Sequence, residues 1–359
     1  MQKKQGNHTR LKAGAGYLPF FAVKPDLIII ILALMLAVPM RARARDLQLL
    51  RIGTGGRTGV YYPIGKLIAQ GLTESTNEGD TGSGEQGVPG YVSVAQNSAG
   101  SVENVEKVAA GEIEAGMAQA DVAFRAFRAD PPFQEGKESL RGIRAIASLY
   151  PEKLQIVVRR DAEIRTVSDL KGKRISVDEI GSGSLAAMRI VLAAYHLSED
   201  DLQPVYLKPV FTHDKIVNGE LQGFVAMAGT PMAAVNQLLS VGISLVPVPP
   251  EVAAAIEAQH PYLVPALIAT GTYAGVPQTA TLQVHALLVV HQSMPDPLAY
   301  AITAALWGQR TLSLLKTGHP QGAAITPETA LAGLSIPLHP GAEKYYQENA
   351  ERFKVFRRK

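Results

Sequence analysis

Apolar positions along this chain switch repeatedly between two periods. Residues 47–52 form a short apolar-rich run suited to a strand. Ile64, Leu67, Ile68 and Leu72 then recur at the spacing of one helix face. Residues 91–95 predict a second strand, and Ser101 opens a helix with Val102, Val105 and Val108. Residues 115–118 predict a short strand, and a helix starts at Asp121. Residues 143–149 and 154–158 read as two strands joined through Tyr150-Pro151-Glu152. The order then restarts. Residues 175–177 predict a strand, Gly181-Ser182-Gly183-Ser184 a loop, and Leu185, Met188, Val191, Leu192 and Tyr195 the inner face of a helix. Residues 284–290 are β-prone and read as a return crossing, and residues 298–315 as one helix. Strands alternating with helices predict an α/β fold. The strand, small-residue loop and helix recur without any sequence repeat of the kind that makes a solenoid. Two similar lobes explain this best, one from 45–152 with 285–359 and the other from 153–284.

The first 44 residues do not fit that pattern. Lys3, Lys4, Arg10, Lys12 and Lys24 precede an uncharged apolar run at 27–38, and Ala42-Arg43-Ala44 follows. Twelve helical residues rise about 18 Å, short of a bilayer core of about 30 Å. This predicts a cleavable export signal over 1–44 and a periplasmic location. The formal charge of the whole chain is +3. Residues 1–44 hold seven Lys/Arg and one acid, which leaves 28 basic and 31 acidic residues beyond them. That balance gives no footing for nucleic acid. There is no cysteine, so disulfides and thiol chemistry are excluded. The His residues show no metal-ligand spacing, and no metal or other cofactor is expected. Residues 77–90 are rich in Gly, Ser and acids and read as a loop.

The chemistry concentrates in the small-residue loops. Thr54, Gly55, Gly56 and Gly59 lie between a strand and a helix start. Unpaired backbone N–H groups and the helix dipole there suit a carboxylate. The run lacks the third glycine of a dinucleotide fingerprint, because Thr58 stands there. It also lacks a P-loop, because Leu67 follows Lys66. Of the adjacent Tyr61 and Tyr62, one should face the cleft, with Tyr61 preferred. Ser182, Gly183 and Ser184 repeat the loop from the second lobe. No G-x-S-x-G exists in the chain, which favours binding over catalysis. Ser101 and Asn104 begin another helix, either as ligand contacts or with Ser101 as a cap. Gln119 can both give and accept hydrogen bonds. Asp121 reads first as a helix cap and otherwise as the partner of a ligand amine. Thr230 and Arg57 are further candidates, although exposed Arg is the commoner case.

Taken in order, several stretches resemble the TAXI-type solute-binding subunits of tripartite ATP-independent periplasmic (TRAP) transporters. They are Gly53-Thr54-Gly55-Gly56 with Gly59-Val60-Tyr61-Tyr62-Pro63, Gly100-Ser101-Val102-Glu103-Asn104, and Ala118-Gln119 with Asp121-Val122-Ala123. Ser148-Leu149-Tyr150-Pro151-Glu152, Gly181-Ser182-Gly183-Ser184 and Pro337-Leu338-His339-Pro340-Gly341-Ala342 complete the set. The resemblance implies a two-lobed type II periplasmic-binding-protein fold with a ligand cleft between the lobes. It implies capture of a small organic acid, glutamate-like or 2-oxoglutarate-like, and delivery to an integral-membrane TRAP permease driven by an ion gradient. Arg57, Ala99 and Lys208 depart from the family pattern, and the two added cations bear on which acid is taken. An ATP-driven (ABC) transport receptor or a sensory receptor of the same fold is the alternative. A periplasmic hydrolase is a further one, and would need a base beside Ser182 or Ser184.

Overall fold

The computed structural model describes residues 47–75, 86–130, 133 and 138–353. The expected export signal and most of the 77–90 loop lie outside these. The strands are β1 Gln48–Gly53, β2 Tyr91–Gln96, β3 Ala115–Gln119, β4 Ile143–Arg159, β5 Arg174–Ser176, β6 Gln203–Val205, β7 Gly223–Ala228, β8 Ile243–Leu245, β9 Val264–Ile268 and β10 Thr279–His291. The helices used below are α1 Tyr61–Leu72, α2 Ser101–Ala109, α3 Ala120–Arg128, α4 Gly183–Ala194, α5 His213–Val217, α6 Ala233–Asn236, α7 Pro250–Gln259, α8 Asp296–Leu306, α9 Gln309–Gly318 and α10 Pro340–Glu348.

The strands form one mixed sheet in the order β2-β1-β3-β10-β4-β7-β5-β6, with β8 added to β4 and β9 to β10. β1 runs parallel to β2 and β3, and β5 runs parallel to β6 and β7. Between these parallel groups lie two long antiparallel strands. β10 pairs with β3 through residues 286–290 and with β9 through 279–283. β4 pairs with β10 through 143–153 and with β7 through 153–158. Tyr150-Pro151-Glu152 is therefore not a joint between two strands. It is the middle of one strand, with Glu152 opposite Val284. The fixed φ of proline is compatible with extended backbone, so Pro151 gives up a ladder donor without breaking the strand.

Both faces of this sheet are covered, and side chains alternate between them as the pleat requires. On β7, Phe224, Ala226 and Ala228 join one core and Val225 and Met227 the other. On β10, Ala286, Leu288 and Val290 face one way and Leu287 and Val289 the other. The first core includes Ile64 and Ile68 of α1, Ile302 of α8 and Leu315 of α9. The second includes Val105 of α2, Val122 of α3, Met188 of α4 and Ile256 of α7. The cores thus divide by sheet face, the first drawing on β1, β3, β10, β4 and β7 and the second on β3, β10, β4, β7 and β5.

The expected helix over 298–315 is two helices. α8 ends at Trp307 and α9 restarts from Gly308 in an extended conformation. Trp307 turns wholly inward, where its Nε1 donates to the Tyr346 hydroxyl at 2.8 Å. Tyr346 in turn donates to the Ile146 carbonyl of β4 at 3.0 Å. Buried indole and phenol groups need such partners, and the pair fixes α10 against the sheet.

Candidate functional site

The loop after β1 is built from beneath. Asn104 of α2 donates through Nδ2 to the carbonyls of Thr54 (2.7 Å) and Met117 (2.8 Å). A Cβ on Gly53 would lie 2.5 Å from Asn104 Oδ1, so only glycine ends β1 here. Thr54 is fully buried, and its hydroxyl donates to the Gln96 carbonyl at 2.6 Å. Thr54 and Asn104, expected at the ligand, therefore hold the floor of the loop instead. Gly55, Gly56, Thr58, Gly59 and the start of α1 rise above it and line a cavity of about 60 Å³. One water needs about 10–15 Å³ by such a measure, so the cavity suits a small solute.

The loop after β5 packs on the loop after β2 and on the end of β3, and lines the same cavity as the first loop. The Gly181 carbonyl accepts from the Val102 and Glu103 N–H groups at 3.1 and 3.2 Å, occupying the N-terminus of α2. A Cβ on Gly183 would lie 2.5 Å from the Gln119 amide, so the two pack with no side chain between them. Lys208 reaches over Gly56, its Cδ 3.4 Å from where a Gly56 Cβ would lie, and pairs with Glu179 at 2.8 Å. Ser182, Gly183 and Ser184 line the cavity as expected, with stated structural duties. The Ser182 hydroxyl caps α4 by accepting from Leu185 N–H at 3.0 Å. The Ser184 hydroxyl accepts from Met227 N–H at 3.0 Å and hydrogen-bonds Asp178.

A chain of polar groups crosses the cavity wall. The Tyr61 hydroxyl donates to Glu152 Oε2 at 2.8 Å and lies 3.4 Å from Ser101 Oγ. Ser101 Oγ accepts from Gln119 N–H at 3.1 Å. Tyr61 is the inward member of its pair, while Tyr62 is partly exposed under Lys66. Ser101 is not a cap, because Gly100, at φ 127°, holds that position. Gln119 is buried, and its Oε1 has no hydrogen-bond partner.

Three candidates lie elsewhere. Asp121 is not the cap of α3, which is Gln119. It is the second helical residue, paired with Arg125 at 3.2 Å, and lines a separate cavity of about 340 Å³ with Phe124, His260 and Tyr262. Arg57 is exposed and outside the cavity lining. Thr230, before a cis bond to Pro231, is also outside it, although Ala228 and Met232 on either side line it. The helix that follows is the short α6.

Two lining carboxyls were not foreseen. Glu152 is 1% exposed at the middle of β4. Burial pushes its carboxyl well above the usual carboxylate range; the Tyr61 hydrogen bond opposes this and the Asp121 charge adds to it. Asp178 sits at φ 68° beyond β5, a left-handed conformation that Asp tolerates better than most residues. Burial pushes it up to about 7, against hydrogen bonds from Glu179 N–H and Ser184. Glu152 left a signal in the sequence, a lone acid inside an apolar run with strand character on both sides. Asp178 left none beyond its place near a small-residue loop.

No histidine is among the residues lining this cavity. Among the described residues no group of His, Asp or Glu is arranged to hold a metal, and no helix is long and apolar enough to cross a membrane. The carboxyl beside the Ser184 hydroxyl is that of Asp178.

The model of the NMT1-like family matches residues 52–349, a span that holds every residue of the cavity. The chain belongs to the NMT1-like family. This NMT1-like chain is also similar to several solved structures. One is the alkanesulfonate-binding protein SsuA from Xanthomonas axonopodis pv. citri bound to MOPS, at 18% identity and a TM-score of 0.41, covering 86% of this chain and 92% of that one. Another is MatC from Rhodopseudomonas palustris with bound malate, at 13% identity and 0.45, covering 86% and 98%. A third is a putative L-cystine ABC transporter from Listeria monocytogenes, at 12% identity, covering 78% of this chain and 98% of that one. Likenesses of this size leave the ligand of the NMT1-like chain to its own site.

Proposed function

We propose that this chain is an extracytoplasmic solute-binding protein that captures a small organic acid and delivers it to a membrane permease. The observation that carries this reading is that two small-residue loops, after β1 and β5, line one small cavity from opposite halves of the sheet. The starts of α1 and α4, their backbone N–H groups and Lys208 supply the positive side that a carboxylate needs. In this reading the lobes are 45–152 with 285–359 and 153–284, joined where β4 and β10 cross. The partner is a gradient-driven TRAP permease, in keeping with the resemblance of the loop sequences to TAXI-type subunits. An ABC permease is the second reading.

A ligand touching both lobes favours their closed arrangement by its differential affinity. Small-angle scattering of stripped protein should show contraction when a small acid from a screen of mono- and dicarboxylates is added at saturation. Identical curves for a bound acid would contradict capture between lobes. Uptake of that acid by cells should collapse when the ion gradient is dissipated and survive depletion of ATP. The opposite outcome assigns the ABC system.

A further inference from the structure

The cavity carries more acceptors than an acid alone can use. Tyr61, Ser101 and Gln119 link into one hydrogen-bonded series ending on Glu152. Gln119 Oε1 is buried in that wall without a partner, and Asp178 lines the same space. A buried acceptor left unmet costs free energy, so a matched ligand brings a donor to it. We propose that the cavity selects a ligand bearing a protonated amine next to its carboxylate, an α-amino acid over the matching 2-oxo acid, with Glu152 and Gln119 receiving the ammonium. This rests on the reading of the chain as an acid-binding protein. The role that the sequence suggested for Asp121 passes to Glu152, because Asp121 is engaged by Arg125 and lines another cavity.

The chemistry separates the two ligand classes. An ammonium carries three N–H donors and can serve Glu152 and Gln119 Oε1 together. A 2-oxo group has only acceptors. A protonated Glu152 can give it one hydrogen, and Gln119 Oε1 is then still unmet. Rejection therefore comes from unpaired acceptors as well as from the missing attraction. The ligand carboxylate falls to the positive side, where Lys208 crosses Gly56 beside the start of α1. Ammonium binding also changes protonation. Glu152 faces Tyr61, Tyr150 and Asp121, and Asp178 faces Glu179, Ser184 and Lys208. The arriving ammonium favours an ionised Glu152, so its proton leaves for the buffer.

The test uses three matched pairs: L-alanine with pyruvate, L-glutamate with 2-oxoglutarate, and L-leucine with 4-methyl-2-oxopentanoate. Calorimetry on ligand-stripped protein should find the amino acid at least fiftyfold tighter in any pair that binds. Glu152→Gln should bring the two within about fivefold, a loss of roughly 1.4 kcal/mol per tenfold. In the unmodified protein at pH 6, amino-acid binding should show a heat that changes with the ionisation enthalpy of the buffer, as proton release requires. An oxo acid bound as tightly as its amino acid overturns this proposal and leaves acid capture standing. A preference unchanged in a folded Glu152→Gln, or binding without proton release, overturns the assignment to Glu152. Failure of all six compounds to bind overturns acid capture itself and this proposal with it.

Discussion

Replacing Asp178 with asparagine should flatten the pH dependence of stability. The Asp178 carboxyl is buried and shifted from an ordinary 3.8 to about 7. Its folded pKa is raised, so the native state holds a proton that the unfolded chain has lost across that window. Stability therefore falls as pH rises from about 4 to 7 and stays reduced above it. The full shift is worth about 4 kcal/mol at 1.36 kcal/mol per pKa unit. Roughly 2.5 kcal/mol of that falls between pH 5 and pH 8, because below pH 5 part of the loss has already occurred. Glu152 shifts in the same direction and adds to the slope. Urea denaturation of ligand-stripped protein at pH 5, 6, 7 and 8 measures the effect. The wild-type chain should lose stability steadily over that range, and Asp178→Asn should lose roughly 2.5 kcal/mol less. The asparagine keeps the size of the side chain and can still accept from Glu179 N–H. Parallel profiles for the two proteins would refute the reasoning, because Asp178 would then titrate normally in the folded state.

Tyr61→Phe removes the hydroxyl that donates to buried Glu152 and should cost about 1–3 kcal/mol in urea denaturation; a change below about 0.5 kcal/mol would show that the carboxyl finds another donor. Ser182→Ala removes the cap of α4 and should lower stability by about 1 kcal/mol while leaving affinity for a bound acid nearly intact. Gly183→Ala should weaken binding at least tenfold and lower stability as well, because the new methyl would press on the buried Gln119 amide. Arg57→Ala, at an exposed position, should leave the dissociation constant within about threefold, and a larger loss by calorimetry would place Arg57 at the ligand.

Period and punctuation carried the order of β1 to β5, α1 to α4 and β10, because apolar runs and helical faces are local properties, while β6 to β9 drew no reading. They could not show that β4 passes through Pro151 unbroken, since that depends on β10 and β7 lying alongside it. Nor could they break the helix at Trp307, where the indole leaves the helix face to reach Tyr346. At the cavity, Gly55, Gly56, Gly59, Tyr61, Ser101, Gln119 and Ser182 to Ser184 were legible as small or polar residues at loop and helix starts. Thr54 and Asn104 belong to the same motifs but point down, a distinction set by Gln96 and Met117 from other strands. Asp178 was hidden because its importance comes from burial and a left-handed backbone, and neither leaves a residue pattern.

The most direct test of the account is native mass spectrometry of the ligand-stripped protein after incubation with a mixture of small amino, oxo and dicarboxylic acids. Gly56→Trp is the control, because its side chain would enter the mouth of the cavity beside Lys208, where a Cβ makes only ordinary contact. One small acid should be bound per wild-type chain and none per Gly56→Trp chain, with both proteins melting at similar temperatures. A folded Gly56→Trp that retains the same acid at wild-type occupancy would place the binding site elsewhere and contradict the central claim.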